Sequence, residues 1–108
     1  MSPSEEMGMS FVCLIEIELH FPEGGSLKAK RKEIVSLKEQ LRRRFGASVA
    51  ETEHHELWQR ARLTAALVAR EVGRLEETAL ALERHVVGRF GDGAACERTI
   101  RSSDEVLG

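Results

Sequence analysis

The stretch Phe11–His20 constrains this chain more than any other. Phe11, Cys13, Ile15, Ile17 and Leu19 alternate there with Val12, Leu14, Glu16, Glu18 and His20. A period of two with one wholly apolar side predicts a β-strand whose odd face lies on helices. The even face is apolar at its start and polar at its end, which predicts a sheet surface only partly open to water. Phe21-Pro22-Glu23-Gly24-Gly25 breaks the strand, and Ser26 is a good N-cap for a helix beginning at Leu27. Leu27, Ile34, Leu37, Leu41 and Phe45 then recur at helical spacing, with Gly46 placed to end the helix.

The remainder repeats this plan. Residues 47–52 and 63–69 read as strands joined by the polar stretch 53–62, which is long for a tight hairpin. Leu75, Ala79, Leu82, Val86 and Phe90 mark a second amphipathic helix, closed by Gly91-Asp92-Gly93, and residues 95–100 form a last strand. The order β-α-β-β-α-β predicts an α+β, ferredoxin-like split βαβ domain over residues 11–100. It is flanked by a flexible tail at 1–10 and a C-terminal extension at 101–108. Right-handed crossovers then predict a four-stranded sheet in the order 4-1-3-2, with both helices on the face of Cys13, Ile15 and Ile17. The expected core is Leu27, Ile34, Leu37, Leu41, Leu67, Leu75, Ala79, Leu82 and Val86.

At 108 residues such a domain buries a sufficient core without a metal or a disulfide. Cys13 and Cys96 lie in strand segments without metal-ligand spacing, which points to a reduced, cytoplasmic setting. No apolar run approaches the roughly 20 residues of a spanning helix. Met1–Ser10 carries two glutamates where a signal peptide would carry positive charge, so neither membrane insertion nor export is expected. The net charge of −2 conceals an asymmetry: residues 26–45 carry eight basic and two acidic residues, +6, and the rest carries −8. That distribution suits a localised anion-binding surface and equally a solvated helix face.

Phe21-Pro22 followed by Ser26-Leu27-Lys28-Ala29-Lys30-Arg31, then Val49-Ala50-Glu51 with His54 and Leu57-Trp58-Gln59-Arg60-Ala61, resembles the YlxP-like family of small bacterial proteins. The resemblance spans roughly residues 11–100 and implies a ferredoxin-like domain. Genes of that family often lie among those for translation initiation and ribosome-binding factor A, which implies a link to ribosome biology. The chain departs from the family pattern at Ala29, where an acidic residue would complete a capping box with Ser26, and at Gly46, where asparagine is common.

Several residue groups could carry function. The loop Glu23-Gly24-Gly25-Ser26 leads into a helix N-terminus, where unpaired N–H groups favour an anion, and Lys28 and Arg31 add charge in the first turn. The glycines form no Walker or dinucleotide fingerprint, and Ser26 alone explains a cap. Lys30 stands where the helical period calls for an apolar side chain, so it either snorkels past the core edge or meets an anion. Lys28, Lys32, Arg42 and Arg43 lie on the polar side, as a solvated face or as contacts to RNA phosphates. The even face of the first strand lacks aromatics for base stacking, so RNA contact there would be electrostatic.

Its Val12 and Leu14 instead suit packing on another sheet, as in a homodimer, and Trp58 is either a partner anchor or an indole folded over the sheet edge. His54 and His55 with Glu51, Glu53 and Glu56 offer metal-capable atoms, but adjacent histidines on an extended segment point apart, and no metal or cofactor is expected. No nucleophile elbow, Cys-His pair or phosphate-transfer motif appears. Glu16 and Glu18 share a strand face about 7 Å apart, more in keeping with its wet side than with catalysis. The leading expectation is a non-enzymatic protein of translation or ribosome maturation, contacting ribosomal RNA or a ribosomal subunit through Gly24, Gly25, Ser26, Lys28, Lys30, Arg31, Lys32 and Arg43. A homo-oligomeric or small-ligand domain using the open sheet face stands second, and an enzyme with an unidentified site third.

Overall fold

The computed structural model describes residues 9–22 and 25–108. Residues 1–8, Glu23 and Gly24, and with them all of the expected tail but Met9 and Ser10 and the first half of the glycine loop, lie outside the described residues. The strands are β1 (Phe11–His20), β2 (Ser48–Glu53), β3 (Arg60–Ala69) and β4 (Ala94–Ser102). The helices are α1 (Leu27–Phe45), α2 (Val72–Phe90) and a short α3 (Ser103–Leu107). One antiparallel sheet in the order β2-β3-β1-β4 carries them, the expected arrangement of a ferredoxin-like α+β fold.

The odd residues of β1 are the floor of the core. Cys13, Ile15, Ile17 and Leu19 are fully buried together with Ala61, Leu63, Ala65 and Leu67 of β3. Above them lie Ile34, Leu37 and Leu41 of α1 and Leu75, Ala79, Leu82 and Val86 of α2. Ser26 starts α1 by accepting a hydrogen bond from the Ala29 N–H at 3.1 Å. Gly46 ends it at φ +68°, a left-handed conformation that glycine adopts without steric cost, with its N–H on the Arg42 carbonyl at 3.0 Å. A close approach makes a second glycine necessary: a Cβ on Gly93 would stand 2.9 Å from the His20 carbonyl oxygen, where the turn after α2 crosses the end of β1.

The structure departs from expectation at element edges. β3 begins at Arg60, not Leu63, because Arg60 and Arg62 continue the pairing with His20 and Glu18 across the open face. The connection from β2 therefore shrinks to residues 54–59. β4 runs on through Ser102, so residues 101 and 102 belong to the sheet rather than to an extension. Ser102 and Glu105 then form a capping box that starts α3, and the Ser103 N–H donates to the Ser10 carbonyl at 2.8 Å. Leu27 is half-buried at the core margin, and the interior position in that first turn goes to Lys30.

Candidate nucleic-acid interface

Helical spacing sorts α1 into two sides. Ile34, Leu37 and Leu41 face the sheet, which places Lys28, Arg31, Lys32, Arg42 and Arg43 on the outer side, and all five are exposed. Lys28 is followed at i+3 and i+4 by Arg31 and Lys32, so the three heads share one surface. Among the described residues none of the three is in an ion pair. At the other end, Glu39 lies 3.5 Å from Arg43 and 3.9 Å from Arg42, exposed contacts that screen those charges only weakly. Arg44 turns toward α2, with Nη1 3.2 Å from His85 Nδ1.

Lys30 corrects the sequence-based expectation. Its side chain is 1% exposed, and Nζ donates to the carbonyls of His54 and Leu57, both at 2.6 Å, with Glu51 Oε2 at 3.3 Å. The anion it meets is internal. Two of its N–H donors are spent on carbonyls and its charge is paired with a carboxylate of the chain itself, so it is not part of the outer cationic surface. It ties α1 to the β2–β3 connection, which explains why an ammonium can occupy a core position.

That connection carries Trp58. The half-buried indole lies over Gly25, where an added Cβ would contact it at 3.4 Å. Trp58 lines a cavity of about 390 Å³ together with Phe21, Ser26, Glu33, Arg89 and Phe90, and Lys30 also borders it. Phe21 and Phe90 meet edge to face, with ring centroids 5.9 Å apart. Arg89 lies 5.4 Å over the Phe90 ring and bonds Glu33 Oε2 at 2.7 Å. Of the sequence candidates, Gly25, Ser26 and Trp58 converge here, while Gly24 lies outside the described residues. Phe21, Glu33, Arg89 and Phe90 carry no such signal in the sequence, since α2 meets the loop only through tertiary packing.

The open sheet face is divided along its length. At one end Leu14 and Val68 are 47% and 73% exposed, with half-buried Val12 and Ala66 beside them. At the other end Glu18 accepts from Arg62 Nε, and Arg62 Nη1 lies 3.1 Å from Glu53. The second Glu18 oxygen is buried 3.7 Å from Arg60 and 4.0 Å from His54, a residue held at φ +68°. The hydrogen bond and charge of Glu18 raise the Arg62 pKa above its ordinary value. Glu18, Glu53 and His54 bring potential ligand atoms within 4.8 Å of one another. Two guanidiniums already balance those carboxylates, so the arrangement is an ion-pair network that a divalent cation would first have to dismantle. His55 turns away, its Nε2 3.0 Å from the Glu51 carbonyl, so the two histidines do not converge.

Glu16, the other acid on that strand face, accepts from Thr64 Oγ1 at 2.9 Å. The thiols are equally unsuited to nucleophilic work. Burial raises the pKa of Cys13 and pushes Cys96 up to about 11, far from the thiolate form at neutral pH. No helix of the described residues is long and apolar enough to cross a membrane.

Among solved structures the chain is similar to the de novo designed protein Foldit4, 12% identical, with a TM-score of 0.57 over 85% of this chain and 96% of that one. That likeness concerns fold alone. A hydantoinase/carbamoylase family amidase from Burkholderia ambifaria is 11% identical, with a TM-score of 0.47 over 88% of this chain and 28% of that one. No curated protein matches the sequence. A family model matches residues 12–97, and the chain thus belongs to the DUF503 family, whose description is protein of unknown function.

Proposed function

We propose that this protein is a non-enzymatic binding protein of translation or ribosome maturation that contacts RNA phosphates through the outer side of α1. The observation that carries the reading is the exposed trio Lys28, Arg31 and Lys32, without an acidic partner among the described residues, on a helix with eight basic and two acidic side chains. Such a surface gains affinity by releasing counterions from the nucleic acid. Arg43 extends the contact toward the helix C-terminus. The resemblance of Phe21-Pro22 with Ser26–Arg31, and of Val49–Glu51 with His54 and Leu57–Ala61, to the YlxP-like family supports the assignment to translation.

The test is binding of a single-stranded RNA, and co-sedimentation with ribosomal subunits, across a range of salt. Changing Lys28 and Arg31 together to glutamine lowers the logarithmic salt slope by roughly 1.4 if both touch phosphates, at about 0.7 each. Equal affinity and equal slope for parent and variant, with the circular dichroism unchanged, reject this surface.

A second reading rests on the exposed Leu14 and Val68. It assigns the open sheet face to a second copy of the chain. The pairing places Arg101 beside Val12 and Glu97 beside Glu16, on either side of Leu14. A two-fold axis near Leu14 and perpendicular to the strands sets Arg101 of one copy against Glu16 and Glu97 of the other, an isologous contact. Leu14→Glu then yields a monomer in sedimentation equilibrium where the parent is a dimer; an unchanged mass for a dimeric parent removes this face.

A further inference from the structure

The cavity lined by Pro22, Gly25, Trp58 and the end of α2 is separate from the cationic side chains on the outer side of α1. Its volume of about 390 Å³ falls in the range of small-ligand sites. Its walls combine flat apolar surface from Phe21, Trp58 and Phe90 with polar groups of His20, Ser26 and Lys30 and an ion pair, Glu33 and Arg89, joined at 2.7 Å. A carboxylate accepts hydrogen bonds and a guanidinium donates them, so the pair offers both halves of what the edge of a nucleobase requires. Aromatic walls and a mixed polar edge together match an unpaired base, whose faces stack and whose rim hydrogen-bonds.

Position narrows the ligand further. The N-cap Ser26 and Ala29 of the first turn of α1 line the same cavity, and Lys28 and Arg31 stand beside them in sequence. A strand whose phosphates follow the outer side of α1 thus passes the mouth. The indole is also held ready: Lys30 bonds the carbonyls of His54 and Leu57, so the segment bearing Trp58 is fastened to α1 before any ligand arrives.

We propose that this cavity receives one unstacked base of a single-stranded RNA, stacked on Trp58, an inference that rests on the phosphate-binding reading of α1. Among the described residues the open sheet face carries no Phe, Tyr or Trp, and the cavity supplies such rings instead.

The test compares two ribo-oligonucleotides of equal length, one carrying bases and one abasic throughout, by direct binding and by the emission of Trp58, the single tryptophan of the chain. The expected result is quenching by the base-bearing strand alone. The abasic strand binds about tenfold more weakly, the equivalent of about 1.4 kcal/mol of stacking. Trp58→Leu reduces the base-bearing strand to the abasic affinity, and Trp58→Phe restores most of the difference. Should Trp58→Leu fail to fold, the two-strand comparison on the parent decides alone. Equal affinities with unmoved Trp58 emission overturn the base site and leave the phosphate surface standing; binding of neither strand removes both.

Discussion

The two long helices are counterparts forty-five residues apart, and one position separates them. α1 buries residues 30, 34, 37 and 41, and α2 buries 75, 79, 82 and 86, the same spacing over the same length of 19 residues. Phe45 and Phe90 close both, and Gly46 and Gly91 come next. Where α2 places Leu75, α1 places Lys30. A leucine there stabilises by leaving water, with no preference among neighbours. The lysine instead needs two carbonyl acceptors, of His54 and Leu57, and the charge of Glu51 beside it. One half of the fold is thus closed by packing and the other by a directional lock, which also fixes a loop that packing alone would leave loose.

Truncating the apolar member should have the largest effect. Leu75 is 1% exposed, and Leu75→Ala is expected to cost about 2 to 5 kcal/mol in urea unfolding by leaving a cavity. A loss below about 1 kcal/mol would mean that the site collapses and that the two helices are not equivalent supports.

Next comes Lys30→Met, which keeps the volume but strands two carbonyls and a carboxylate. We expect a loss of about 1 to 3 kcal/mol together with faster amide exchange over residues 54–58. Unchanged exchange there would break the lock interpretation, whatever the stability. Adding Glu51→Leu to Lys30→Met should recover part of the loss, because the orphaned carboxylate leaves with its partner.

The sequence shows this contrast only in part. The odd residues of β1 and the spans 30–41 and 75–86 are legible because periodicity is local, and they determine sheet order and core together. Lys30 is visible as a fault in the pattern, but its acceptors lie on a connection 24 and 27 residues away, beyond the reach of any spacing rule. The same holds for Glu18 with Arg62 and for Glu33 with Arg89, contacts across 44 and 56 residues. The polar start of β3 is hidden for a different reason. Arg60 and Arg62 resemble a loop until Glu18 is known to lie opposite.

A smaller difference lies at the helix starts. Ser26 caps α1 with its side chain, whereas Glu71 precedes α2 without such a bond. Ser26→Ala should cost about 1 kcal/mol, and Glu71→Ser should gain a few tenths to about 1 kcal/mol. Equal and opposite shifts in urea midpoint would make capping independent of the core lock; no gain from Glu71→Ser would show that the α2 start is held by packing.

The seam between the helices provides the smallest effect, read by pH. His85 Nε2 lies 2.7 Å from Gln40 Oε1, and burial, then the charges of Arg44 and Arg89, lower its pKa from 6.5. The unfolded chain therefore takes up the proton first as pH falls. The stability linked to His85 is complete above about pH 6.5 and is lost as pH descends to the lower folded value. His85→Gln should flatten that slope, and an identical slope in the variant would assign it elsewhere.

The central place of β1 has a temporal consequence. The first strand made is flanked by β3 and by β4, the last strand of the sheet. At roughly 5 to 20 residues per second, the interval between completing the first and the last is on the order of five to fifteen seconds. Throughout it one rim of a strand with a wholly apolar face has no native neighbour, and unpaired N–H and C=O groups there invite pairing with another nascent chain. Chains truncated before Ala94 should accordingly be the aggregation-prone species of this protein.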